Sequence, residues 1–468
     1  VTIDNVIAAN RYGLGARPDE LSAIGSDPRG WLAQQVEGAR PVPEPVRVLP
    51  ASPAVFKTFA QGKEQQRDAK MDSSTESSVA KRVIETIRQK LVPLYLDQVA
   101  ARYQVAVTTR ESFRERLVHF WSNHFAVSAD KPQVIALAGT LENEAIRPNI
   151  NGSFVDMLLA VESHPAMVLY LDNQASIGPN SALAQKAARR ARNTNRKLDI
   201  NENLAREILE LHTLGVSGGY AQKDVTSFAL VLTGWSVGGE RGPLAEGAAG
   251  TFEFREMAHE PGAKTVLGKR YSQDGGAQAR AVLGDLARHP ATAVHIATKL
   301  VRHFVADEPP QDAVERIAKV FRDSAGHLPA VHRALIDLPQ AWQPIATKYK
   351  TPHEFVVSTL RCIDFVPGTP QQIAAPFKLL GQRPYAPGSP AGWPDTAAQW
   401  DGPDALLKRI EWATRLGEGV GGRVRPLSLA EQSLGDSLSE RTRTAIARAA
   451  SAAQGTTLLL ASPEFLRR

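Results

Sequence analysis

The chain has 468 residues, 43% of them hydrophobic and 22% charged, the balance of a foldable globular protein rather than a disordered one. One cysteine, Cys362, excludes an intrachain disulfide, a cysteine-rich zinc site and an iron–sulfur cluster. No apolar run approaches the ~18 residues that a membrane span needs, and 55 basic against 49 acidic side chains is too small an excess to imply a nucleic-acid partner.

Helical periodicity dominates and strand alternation is scarce, so the expectation is a mainly α protein: one large helical domain over residues 1–468 with long irregular loops. Residues 5–37 read as two short helices, with Pro18 opening the second and Leu21, Ile24, Trp31, Leu32 and Val36 facing inward. A proline-rich stretch covers 40–53. The polar segment at about 57–80, with its low-complexity core Asp72-Ser73-Ser74-Thr75-Glu76-Ser77-Ser78, predicts an exposed excursion. Helical spacing resumes from Val83 to Val99, with Pro93 as an expected kink. Ser112 and Glu115 make the Ser-x-x-Glu pattern of a capping box, which predicts a helix start there and a helix carrying Phe113, Leu117, Phe120, Trp121 and His124.

Further helices are predicted at about 132–147, 153–172, 201–215, 222–234, 275–288, 290–306, 311–325, 328–337, 352–364, 403–416 and 440–461. The gaps at 236–250 and 367–403 lack a composition shift, so neither reads as a domain boundary. A basic loop at about 178–199 carries Lys186, Arg189, Arg190, Arg192, Arg196 and Lys197 without the interleaved aromatics of a single-strand binder. It reads as a solvated surface or as a face for an anionic polymer.

Most catalytic signatures fail on context. Gly215-Val216-Ser217-Gly218-Gly219 matches a nucleophile elbow, but a predicted helix precedes it where a strand is required. Gly262 to Lys269 is one residue too long for a P-loop, and Arg270 stands where Ser or Thr should hold magnesium. No His-Glu-x-x-His occurs, so no metal and no cofactor is assigned.

Two strings carry more. Across Asn201 to Gly215, helical geometry puts Asn203, Arg206, Glu207 and Glu210 on one arc of about 100°, opposite Leu204, Ile208 and Leu211. The plain reading is a solvent face on which Arg206 pairs with Glu210. The sharper one is a cleft wall, in which one desolvated carboxyl of the Glu207–Glu210 pair serves as an acid while Arg206 keeps the other ionised. In Phe120-Trp121-Ser122-Asn123-His124-Phe125, the aromatics suit a core, while Asn123 and His124 need partners if buried. They belong either to a structural network or to a ligand site.

Taken together the strings are similar to the bacterial domain-of-unknown-function 1800 family. The likeness runs through Asn10-Arg11-Tyr12-Gly13-Leu14-Gly15-Ala16-Arg17-Pro18, Phe120 to Phe125, His164 to Asp172, Asn201 to Gly215, Leu232-Thr233-Gly234-Trp235 and His259 with Lys264 and Gly268. It continues in Lys299-Leu300-Val301-Arg302-His303-Phe304-Val305-Ala306-Asp307, Lys350 to Phe355 and Ser389-Pro390-Ala391-Gly392-Trp393-Pro394-Asp395. The resemblance implies a mainly helical bacterial protein, often carrying an export signal and often encoded beside a second exported family. The chain departs from the family pattern between Gly178 and Asp199, where a long basic stretch replaces a short loop. Since the chain begins at Val1, a removed leader and a periplasmic or secreted location are the expectation.

The leading functional expectation is hydrolysis of a carbohydrate polymer by paired carboxylates. Glu207, Glu210 and Asp172 are its candidate catalytic groups. Asn203, Arg206, Trp121, Asn123, His124, Trp235, Arg302, His303, Trp393 and Asp395 are its candidate contacts with a polysaccharide or oligosaccharide, neutral or anionic. Trp121, Trp235 and Trp393 would supply stacking surfaces. The alternatives are a non-catalytic exported protein that binds or assembles with a partner protein, and a metal-dependent hydrolase or redox protein built from His124, His212, Glu207 and His303.

Overall fold

A computed structural model of the chain describes residues 2–70, 76–190, 199–239 and 247–468. Helices make the architecture, and the described strands form only two antiparallel ribbons. One pairs Trp235–Val237 with Phe252–Phe254, setting Trp235 opposite Phe254; the other pairs Lys264–Val266 with Lys269–Tyr271. A single contiguous apolar cluster contains residues from Val6 to Leu466, so both ends of the described chain pack into one core. No helix among the described residues is long and apolar enough to cross a membrane.

The predicted helices from 275 to 364 appear with ends shifted by a few residues, from Gly276–Arg288 through Pro352–Cys362. Several longer predictions divide. The expected 153–172 helix stops at Glu162 and restarts at Pro165–Tyr170, because the residue before a proline avoids helical backbone and His164 caps the new start through Nδ1, which accepts from the Ala166 amide at 3.1 Å. The expected 440–461 helix divides where Ser451 caps Ala452–Leu460. Helix Pro370–Leu379 lies inside the gap read as irregular, where the internal Pro376 hides the periodicity. The chain passes through Pro93 within one helix, Glu76–Thr108.

The polar excursion at 57–80 is helical on both sides, Ser52–Lys70 packing against Glu76–Thr108; 71–75 lie outside the described residues. The basic loop holds helix Ala182–Arg190 and is anchored at its base by Asn180, whose amide donates to Glu260 at 2.8 Å. Arg192, Arg196 and Lys197 fall outside the described residues.

The capping-box prediction is half right. Helix Ser112–His124 begins where expected, yet Ser112 Oγ has no partner among the described residues and Glu115 points inward to Arg147 at 2.6 and 2.8 Å. A buried bidentate ion pair outcompetes the neutral cap. The reciprocal box forms instead at Thr351 and Glu354: Thr351 Oγ1 accepts from the Glu354 amide at 3.3 Å, and Glu354 Oε2 accepts from the Thr351 amide at 2.8 Å.

Candidate functional site

Three helices converge on a cavity of about 450 Å³, within the usual range for a small-molecule site. Helix Ser112–His124 contributes Arg116, Asn123 and His124. Helix Pro290–Phe304 brings Lys299, Arg302 and His303, and the start of helix Pro352–Cys362 brings Glu354. A loop carrying Trp393 and Asp395 closes one side.

The loop is held by a two-point clamp. Asn123 Nδ2 donates to the Trp393 carbonyl at 2.9 Å, and the Trp393 amide donates to Asn123 Oδ1 at 2.7 Å. Gly392 permits this approach: its φ is +82°, and a Cβ there would lie 2.3 Å from the Asn123 carbonyl oxygen. Only glycine suits both conditions.

Below lies an ionic network. Arg116 donates from Nη1 to the Gly13 carbonyl at 2.7 Å and from Nε to His303 Nε2 at 3.2 Å, and it pairs with Glu354. Arg468 reaches Glu354 at 2.6 Å, because the last residues run beside the 348–350 segment, exchanging backbone hydrogen bonds between Lys348 and Arg468. His303 Nδ1 lies 2.6 Å from Asp395 Oδ2, and Lys348 pairs with Asp307.

These contacts fix protonation. A guanidinium can only donate, so His303 Nε2 is the acceptor and Nδ1 carries the proton toward Asp395. Burial pushes His303 down to about 4 against the pull of Asp395, leaving it neutral with both nitrogens used. It therefore orients Asp395 rather than serving as a free base. Burial alone would raise the Glu354 carboxyl, but Arg468 and Arg116 hold it well below the usual carboxylate range. Asp395 is likewise held down by His303 and Lys348 against burial.

The network does not extend to every cation that lines the cavity. Lys299 and Arg302 stand three residues apart on one helix face. Among the described residues, Lys299 makes no hydrogen bond or ion pair, and Arg302 reaches only the Asp307 carbonyl, at 3.3 Å. By contrast Arg102 faces Glu142 at 3.1 Å, and Arg116, Lys348 and Arg468 each face a carboxylate. Burial, with Arg302 nearby, lowers Lys299 to about 8 although Asp395 pulls it up.

The Asn201–Gly215 string serves this wall from behind. It forms helix Asn203–Glu207 and then a π-helical turn, Ile208–His212. The turn offers the His212 carbonyl to His124 Nε2 at 3.2 Å and the Leu211 carbonyl to His295 Nε2 at 2.9 Å. A carbonyl only accepts, so His124 is protonated at Nε2 and presents a lone pair at Nδ1, which has no partner among the described residues. Burial, reinforced by Lys299, pushes His124 well below its ordinary value. His212 itself is tied to the fully buried Glu162 at 2.7 Å.

Of the residues singled out from sequence, Asn123, His124, Arg302, His303, Trp393 and Asp395 line the cavity, and the others do not. Glu207, Glu210, Asn203 and Arg206 occupy the outer face, where Arg206 pairs with Glu202 at 3.2 Å and Glu210 at 3.5 Å. The wall expected there is thus the ion-paired surface. Burial raises the Glu207 carboxyl, with Glu210 adding to the rise. Asp172 pairs with Lys131 at 2.7 Å and is half exposed. Trp121 is fully buried against Phe125 and Phe154, and Trp235 is buried against Phe252, so neither presents a sugar-stacking face. Among the described residues no cluster of three or more His, Cys, Asp or Glu side chains is placed to hold a metal ion.

Sequence reasoning missed Arg116, Lys299 and Glu354. The Thr351-Pro352-His353-Glu354 capping pattern was a readable signal for Glu354, whereas nothing local marks a lysine as unpaired.

A family described as "Protein of unknown function (DUF1800)" matches residues 7–467. No curated protein and no solved structure matches the chain.

Proposed function

The chain belongs to the DUF1800 family, whose description names no activity, and we propose that its cavity binds a small acidic ligand of the size of an acidic sugar unit. One observation carries the reading: Lys299 and Arg302 face the cavity with no carboxylate paired to either among the described residues, while Arg102, Arg116, Lys348 and Arg468 are each paired with one. A desolvated cation is costly unless something pairs it. A ligand carboxylate would take that place through charge-assisted hydrogen bonds, which contribute about 1.5–3 kcal/mol each. Trp393 and Phe120 are among the apolar residues of the lining.

Calorimetric titration with glucuronate, with glucose as the neutral comparator, tests this. The acid should bind at least about tenfold more tightly, and Arg302→Ala should remove that preference. Equal affinity for the two sugars would refute it.

A second reading keeps the hydrolysis of a carbohydrate polymer, at the outer face. The upward shift of Glu207 beside Glu210 is what a general acid requires. Glu207→Gln and Glu210→Gln assayed on soluble polysaccharides test it, and undiminished cleavage in both would end it. The geometry favours the binding reading, because of the three carboxylates that line the cavity Glu354 and Asp395 are held ionised by their basic neighbours and Asp307 is paired with Lys348. An exported setting with a partner protein belongs to either reading, and fractionation of cells expressing the full-length gene would test it.

A further inference from the structure

Lys299 has a property that anion binding does not need. An ammonium serving only to attract a carboxylate gains from a neighbouring anion that keeps it charged, as Lys348 has in Asp307. Lys299 sits partly buried on a cavity wall, one turn before a second cation, with no hydrogen bond or ion pair among the described residues, and the pull of Asp395 does not offset its burial. That setting raises the share of the neutral amine, the form that attacks carbonyl carbon. Its reactivity is supported by the fall of its proton affinity to about 8 under burial. The same wall offers Arg302, whose two terminal nitrogens make no hydrogen bond or ion pair among the described residues and can hold a carboxylate beside the reacting carbon.

We propose that Lys299 forms an imine with an acidic carbonyl compound of the 2-oxo acid class, whose carboxylate is held by Arg302. This rests on the acidic-ligand reading above and adds the covalent step. The neutral Nζ donates its electron pair to the carbonyl carbon, the carbonyl π pair moves to oxygen, and a proton passes from nitrogen to that oxygen to give the carbinolamine. The hydroxyl leaves as water with one further proton as the nitrogen pair forms the C=N bond. No oxidant or reductant is consumed.

The test incubates the full chain with pyruvate and sodium cyanoborohydride at pH 8, followed by intact-mass and peptide analysis, with calorimetry of pyruvate binding alongside. The expected result is a single addition equal to pyruvic acid less one oxygen atom, at Lys299, forming at least about tenfold faster than at exposed Lys319, in keeping with a buried amine of lowered proton affinity. Lys299→Arg, checked for fold by circular dichroism, should lose that addition. If pyruvate binds in an Arg302-dependent way but Lys299 is labelled no faster than Lys319, the covalent proposal fails and the binding reading stands. If neither pyruvate nor glucuronate binds, the binding reading fails and the covalent proposal with it.

Discussion

Replacing Lys299 by Met removes the charge while keeping an unbranched stem of similar length, and the account requires the protein to become more stable. The folded chain holds this amine at about 8 instead of 10.5. At about 1.4 kcal/mol for each tenfold change in proton affinity, keeping it charged costs the fold about 3 kcal/mol at pH 7. The sign follows from linkage. Between pH 8 and 10.5 the unfolded chain binds more protons at this position than the folded one, so stability rises with pH across that window; below pH 8 the full cost is present. Lys299→Met should therefore exceed the parent by about 1 to 3 kcal/mol at pH 7, and the advantage should fall to about half or less by pH 9.5. Equilibrium urea denaturation of both proteins at the two pH values reads this directly. A variant less stable than the parent at pH 7, or a gap that does not change with pH, would refute the claim that Lys299 is unpaired. The gain should coincide with loss of acidic-ligand binding, since a site maintained at the expense of stability is the common trade-off.

Asn123→Ala removes both hydrogen bonds to Trp393 and should raise amide exchange across Ser389–Asp395 by at least about tenfold, the loss of a contribution near 1 to 2 kcal/mol; unchanged protection would mean that the clamp does not hold the loop. Acidic-ligand affinity should be flat from about pH 5 to 7, because burial keeps His303 and His295 neutral above about 4. It should then fall as the pH rises through about 8, where Lys299 loses its proton. A fall centred near pH 6.5 would instead assign the binding charge to a histidine. Glu162→Leu strips the acceptor from His212 Nδ1 inside the core and should cost about 2 to 3 kcal/mol in urea denaturation, weakening ligand binding as the carbonyls behind His124 and His295 shift. A neutral outcome would remove the Glu162–His212 pair from the account.

The helical class was legible because amphipathic periodicity is local, and helix ends were legible where proline or a serine cap marks them, as at Pro290 and Pro352. Local patterns misled where a distant charge intervened. Ser112 and Glu115 have the spacing of a capping box, yet Arg147 takes the glutamate. On the acidic stripe Glu210 did what its periodicity most simply implies, pairing with Arg206 on the outer face, while the buried side of the same string held His212 and the carbonyls that set the cavity's histidines. Asn123, His303 and Asp395 stood out as polar groups among aromatics or in quotable strings. Lys299 stood in one of those strings too, but what distinguishes it is the lack of a partner, which only the assembled fold reveals. Arg468 and Arg116 meet Glu354 from opposite parts of the chain, a convergence that no spacing rule encodes.

The most direct test of the central claim is a crystal structure of the protein with glucuronate at pH 6.5. The account predicts the ligand carboxylate within hydrogen-bonding distance of Lys299 Nζ and the Arg302 guanidinium, with the ring against Trp393. Density for the sugar at the Glu207 face, or a cavity that stays without ligand at saturating concentration, would contradict it.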